Sequence, residues 1–182
     1  SGLSGERLIE NVAGTIAEVV AKSAVDGRRV LCVCIGIPGV VREGRIHLAP
    51  NFPNFSIAAM KARLRQDYDA EVLVDNGVNL GAIGEHRFGR GAGYRDLVYI
   101  SYGVGLGAAL ILNGKLYMGF NNAAGEVGFM QTRPASAWNT FQETGELENE
   151  VSIGARIGVP SRRGIKREIA QLLTDYRNGD KD

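Results

Sequence analysis

Between residues 71 and 88 the chain changes period. Val72-Leu73-Val74 is an apolar β-forming run, and after Asp75-Asn76-Gly77 the next stretch, Asn79 to Phe88, has the composition and spacing of a short helix stopped by Gly89. A strand that feeds a helix across so brief a junction belongs to an α/β protein. A second apolar run, Arg29 to Ile37, stops at Pro38-Gly39 and reads as a strand buried on both faces of a parallel or mixed sheet. In such sheets ligands gather beyond the carboxyl ends of the strands, which here are Pro38-Gly39 and Asp75-Asn76-Gly77.

Around this pair the remaining elements can be placed. Leu8, Ile9, Val12, Ile16, Val19 and Val20 recur at helical spacing behind a potential N-cap at Ser4, predicting an amphipathic helix to about Ser23. Val40 to Leu48 predicts a hairpin turning at Glu43-Gly44. Ala49 to Phe55 is a loop rich in proline and asparagine, and Ser56 caps a helix through Tyr68 that buries Ile57, Met60 and Leu64. Beyond the connector Arg90 to Arg95 come a strand over Asp96 to Tyr102, a glycine-rich turn, and a hairpin whose strands Ala108 to Leu112 and Lys115 to Tyr117 flank Asn113-Gly114. From Gly119 to Gly145 the sequence reads as loop, followed by helices over Leu147 to Ile157 and Ser161 to Tyr176.

Composition excludes several functions. Twenty-one basic and 20 acidic side chains leave a formal charge of +1, so no global field draws this chain onto nucleic acid or an anionic membrane. The basic start of the segment 161–176 fits amphipathic packing better than a DNA-reading helix, because no turn-linked partner helix precedes it. Cys32 and Cys34 rule out a disulfide scaffold. They share a face of the Val30 to Ile35 strand, read as small core hydrophobes, and suit a reducing cytoplasm. No apolar run approaches a membrane span, and Ser1 to Gly5 lacks the features of a signal peptide. His47 and His86 stand apart from any nucleophile motif and receive no function.

Three segments could carry chemistry. Gly103-Val104-Gly105-Leu106-Gly107 lies between two strands, which excludes the dinucleotide fingerprint, where glycines lead into a helix. The glycines either let backbone amides approach a phosphate or form a tight turn. Ala123 to Phe129 surrounds Glu126 with small residues, a setting costly for an acid unless it is exposed or given donors such as sugar hydroxyls. Glu148 either joins Glu126 in that role or belongs to an acidic first helical turn complementing the helix dipole.

Taken in order and spacing, Ile35-Gly36-Ile37-Pro38-Gly39, Ala49-Pro50-Asn51, Asn76 to Glu85, Gly103 to Gly107 and Gly125-Glu126-Val127-Gly128 resemble the ROK family of repressors, uncharacterised frames and sugar kinases, over about residues 8 to 160. The resemblance implies an α/β fold with actin/hexokinase/Hsp70-like (ribonuclease H-like) lobes and a mixed sheet, truncated at both ends. Residues 1–88 would be the remainder of the N-terminal lobe and 89–182 the start of the C-terminal lobe. A sugar would sit in the interdomain cleft of a homo-oligomer.

Against the family's Glu-Asn-Asp-Ala-Asn, this chain has Asp75-Asn76-Gly77-Val78-Asn79, so Asn76 matches the sugar-binding asparagine while Gly77 replaces the catalytic base. A base must come within roughly 2.6 to 3.2 Å of its proton. Asp75, two residues earlier on a strand, is displaced by roughly 6 to 7 Å and does not substitute. Val104 stands where the family's phosphate loop has threonine, which leaves Gly103, Gly105 and Gly107 as its remnant, and the first phosphate motif and the adenosine motif have no counterpart. The family's zinc ligands fall on Phe129, Asn139, Phe141 and Glu146, which cannot form a tetrahedral nitrogen and sulfur site, so neither zinc nor another cofactor is expected and Phe129, Trp138 and Phe141 would pack instead.

These features favour a non-catalytic, sugar-sensing effector domain of a ROK transcriptional regulator. The sugar-binding candidates are Asn76, Glu126 and Glu148, with Asn51 beside them; the ligand would be a sugar or sugar phosphate, and DNA would be reached through a winged helix-turn-helix upstream. A carbohydrate kinase fragment and a ligand-free oligomerisation scaffold are the alternatives.

Overall fold

The computed structural model describes residues 5–23, 25–48, 55–132 and 145–153. Helices α1 (Gly5–Lys22), α2 (Ile57–Asp67), α3 (Gly77–Phe88) and α4 (Glu146–Val151) alternate with strands β1 (Cys32–Ile37), β2 (Val40–Arg42), β3 (Arg45–His47), β4 (Glu71–Asn76), β5 (Leu97–Tyr102), β6 (Leu106–Leu112) and β7 (Lys115–Tyr117). The chain divides into two compact units. The first comprises 1–97 and 110–124, the second 98–109 and 125–182.

In the first unit β1 and β4 pair in parallel, Cys32 opposite Glu71 through to Ile37 opposite Asn76. Ile9 and Ala13 of α1, Met60 and Leu64 of α2 and Val72 of β4 make its core, with Val33 and Ile35 packed against them. Ser56 caps α2 as its sequence predicts, the hydroxyl accepting the Ala59 amide at 3.2 Å. Both hairpins turn where expected: Glu43-Gly44 and Asn113-Gly114 have positive φ throughout, the geometry that matches the twist of two-residue hairpins.

One expectation fails here. β1 is not buried on both faces, and Cys32 and Cys34 are exposed rather than packed in the core. α1 and α2 lie against the face that carries Val33 and Ile35, so alternation along the pleat turns the two thiols the other way. A continuous apolar run cannot by itself tell a two-sided strand from a one-sided one.

Strands β5, β6 and β7 form a three-stranded sheet in that order, with β7 antiparallel to β6. In the second unit β5 turns through residues 103–105 into β6, and Val127–Phe129 makes a single 3-10 turn before α4. The helix expected over Leu147 to Ile157 is shorter, since α4 stops at Val151 with Ser152 extended; its part beyond Ile153, the helix expected over Ser161 to Tyr176, and Ser4, Asn51, Trp138, Asn139 and Phe141 lie outside the described residues. Among the described residues no helix is long and apolar enough to cross a membrane.

Candidate functional site

In the first unit the candidate residues gather where β4 becomes α3. The helix starts at Gly77, two residues earlier than its apolar spacing suggests, because Asn76 is its N-cap. Asn76 Oδ1 accepts the amides of Val78 at 2.7 Å and Asn79 at 3.2 Å, while Nδ2 donates to the Gly39 carbonyl at 2.8 Å. One Nδ2 hydrogen is left for a ligand. Asp75 is turned into the same cluster, Oδ1 accepting the Asn76 amide at 2.6 Å and Asn79 Nδ2 at 3.4 Å.

Gly77 is not demanded by the backbone. Its φ lies outside the left-handed region, and a Cβ there would meet the Ile37 carbonyl at 3.7 Å, an ordinary contact. A Cβ would fit, so the absence of a side chain at position 77 is not imposed by the backbone.

In the second unit Glu148 reaches the β5–β6 turn, and Glu126 lies close enough to feel its charge. Gly125 has φ of 92°, and a Cβ there would collide with the Ala108 carbonyl, so glycine is required for the chain to press against β6. The Ala108 amide donates to the Gly125 carbonyl at 2.9 Å, which fixes the residue that follows. Glu126 is half-buried, and among the described residues its carboxylate receives no hydrogen bond or ion pair. Burial pushes its pKa above the usual carboxylate range, and the negative charge of Glu148 pushes it further.

Glu148 lies in the first turn of α4 but is not spent on the helix dipole alone. Its Oε2 accepts the Leu106 amide at 2.7 Å, placing the carboxylate against the glycine loop. Oε1 keeps acceptor capacity. Gly103 donates across the loop to the Gly105 carbonyl at 2.9 Å, and its own carbonyl accepts the Ile153 amide at 2.9 Å.

The model of the ROK family matches residues 4–175. This chain belongs to the ROK family. A xylose repressor of Caldicellulosiruptor bescii is 30% identical over 181 residues, covering 98% of the chain and 45% of the relative. A glucokinase of Thermotoga maritima is 30% identical over 175 residues, covering 95% and 51%. A solved ROK glucokinase from Streptomyces griseus, in complex with glucose and AMPPNP, is 32% identical with a TM-score of 0.55, covering 69% of the chain and 40% of that structure. The chain thus spans about half the length of the curated relatives it matches, and its fold is the α/β, actin- and hexokinase-like fold of ROK sugar kinases and regulators.

Within the ROK frame the sequence-based candidates fall in two groups, Asn76 in the first unit and Glu126, Glu148 and the Gly103–Gly107 loop in the second. Asn51 lies outside the described residues. Of the positions aligned with zinc ligands, Phe129 ends the 3-10 turn and Glu146 Oε1 accepts the Thr132 hydroxyl at 3.1 Å. Sequence reasoning missed the capping duty of Asn76, because it began the helix at Asn79 and so did not see asparagine directly before the first helical residue, a standard cap signal. It also missed the bond from the Leu106 amide to Glu148, which joins residues 42 apart and left no local sign.

Proposed function

We propose that this chain is the sugar-sensing, non-catalytic effector domain of a ROK transcriptional regulator. The observation that carries this reading is Glu126: a half-buried carboxylate beside a second one, with no protein donor bonded to it among the described residues. Among the described residues no fully buried side-chain oxygen lacks a partner, so solvent reaches this carboxylate, and vicinal sugar hydroxyls are suited to replace that water as paired donors. Glu148 accepts a further hydroxyl through Oε1 while Oε2 stays on Leu106. Asn76, in the first unit and with one Nδ2 hydrogen uncommitted, and Asn51 stay candidates from the family resemblance.

Gly77 directs the reading away from phosphoryl transfer. No side chain at that position can take a proton from a hydroxyl, and Asp75 is already engaged with Asn76 and Asn79. The sugar then acts as an effector: by binding one state better than another it shifts the population available to a DNA-binding domain of the whole protein. The xylose repressor among the relatives supports a regulator, and the glucokinases support a sugar as ligand.

An assay of ADP release from MgATP across a panel of aldoses tests this. The expected result is no sugar-dependent release. Release that requires a sugar and vanishes in Glu126→Ala would establish the kinase reading instead.

A further inference from the structure

The β2–β3 hairpin sets two like charges side by side. Arg42 stands directly opposite Arg45 across the Glu43-Gly44 turn and Val40 opposite His47, so alternation along the strands brings Arg42, Arg45 and His47 to one face, where all three are exposed. Facing side chains in an antiparallel pair have Cβ atoms roughly 4.5 to 5.5 Å apart, and like charges at that spacing disfavour the pairing.

The hairpin is nonetheless clamped. Arg42 Nη1 donates to Asn121 Oδ1 at 2.8 Å, and Asn122 Nδ2 donates to the Val41 carbonyl at 3.1 Å. The loop that supplies both asparagines is closed on itself by the Ala124 amide, which donates to the Met118 carbonyl at 3.0 Å. A neutral amide that holds a guanidinium fixes its place without cancelling its charge. Among the described residues the acid that pairs with this face is Glu43, its Oε1 3.4 Å from Arg42 Nε, and with a side chain 79% exposed it offsets little. The side chains of Arg45 and His47 make no hydrogen bond or ion pair among the described residues. Nη2 of Arg42 and the whole fork of Arg45 are left for a ligand.

The chemistry of that ligand follows from two adjacent forks. A planar carboxylate fills one guanidinium with its two oxygens, whereas a phosphate group divides three oxygens between two guanidiniums and sets a charge of roughly −1.5 to −2 against both. One arginine pair spans one such group, not the run of charges along a nucleic acid. We propose that Arg42 and Arg45, with His47 beside them, bind a single phosphate group, carried by a small monoester or free in solution. The site lies within the first unit and rests on hairpin register and bonding, so it stands whether or not the sugar reading holds.

Backbone amide shifts of the isotope-labelled 182-residue chain, followed while inorganic phosphate replaces chloride at constant ionic strength and neutral pH, test this. Amides of residues 42 to 47 should move along one saturable curve. Arg45→Gln should weaken that curve by about tenfold and leave the thermal midpoint in chloride unchanged or higher, since it removes the like-charge pair, and Arg45→Lys, which keeps the charge without the fork, should recover only part of the affinity. Glucose 6-phosphate should shift the same amides and glucose none of them; tighter binding than inorganic phosphate makes the ligand a monoester, and equal binding makes it the free ion. Shifts that grow without saturating, equal affinity in the parent and Arg45→Gln, or duplex DNA that competes for these amides more strongly than either phosphate would overturn the proposal.

Discussion

The polar cluster at the start of α3 and the carboxylates at the β5–β6 turn use similar side chains to opposite ends. Asn76, Asp75 and Asn79 bond to one another and to nearby backbone, so most of their capacity is consumed in fixing the junction of β4 and α3. The Glu126 carboxylate bonds to nothing among the described residues, and Glu148 commits one oxygen and holds the other in reserve. The first cluster is largely satisfied from within, whereas the Glu126 carboxylate keeps its acceptor capacity open. Family position alone would have given Asn76 and Glu126 equal standing as sugar contacts.

That contrast can be broken by substitution. Leu64→Ala, on the buried face of α2, sets the upper scale with a loss of about 2 to 5 kcal/mol in denaturant unfolding. Asn76→Ala comes next, at about 1 to 3 kcal/mol, because it removes the cap of α3 and leaves the Gly39 carbonyl without its donor. A neutral result for Asn76→Ala would mean that the cluster is not scaffold.

Glu126→Gln should go the other way and leave stability at neutral pH unchanged or improved. The sign follows from its raised pKa. An acid that holds its proton more tightly when folded contributes stability fully below its unfolded pKa of about 4.3, and that contribution is lost as pH rises through the folded value. Unfolding measured from acidic to neutral pH should therefore show a downward component in the parent that is missing in Glu126→Gln. Sugar binding carries the opposite slope, since hydroxyl donors favour the charged carboxylate and affinity should rise through the same interval.

The smallest effect is expected at Gly77. Gly77→Ala should change stability by no more than about 1 kcal/mol, in the stabilising direction, as alanine replaces glycine in a helix where a Cβ meets only ordinary contacts. Large destabilisation would reveal a backbone requirement for glycine at that position.

Much of the fold was legible because it rests on local signals. The Ser56 cap, the two hairpin turns and the helical spacing of Ile9, Met60 and Leu64 each act within a few residues, and the structure places them as those signals direct. The exposure of Cys32 and Cys34 was not legible, because it depends on which face α1 and α2 cover, a fact of packing rather than of strand composition. At the candidate site, residue types singled out Glu126 and Glu148, but only coordinates separate an unpartnered acid from one bonded to Leu106 across 42 residues of chain. Asn76 illustrates the converse, since one side chain matches a ligand motif and a capping rule at once, and sequence does not show how its hydrogen bonds divide.

The central claim is that Glu126 awaits hydroxyl donors from a monosaccharide. Calorimetric titration of the parent and of Glu126→Gln with aldoses, including xylose and glucose and with no nucleotide present, tests it most directly. Saturable binding of at least one aldose by the parent, weakened at least tenfold in the variant, is the predicted result; binding of equal strength in both proteins, or none by the parent across the panel, would contradict it.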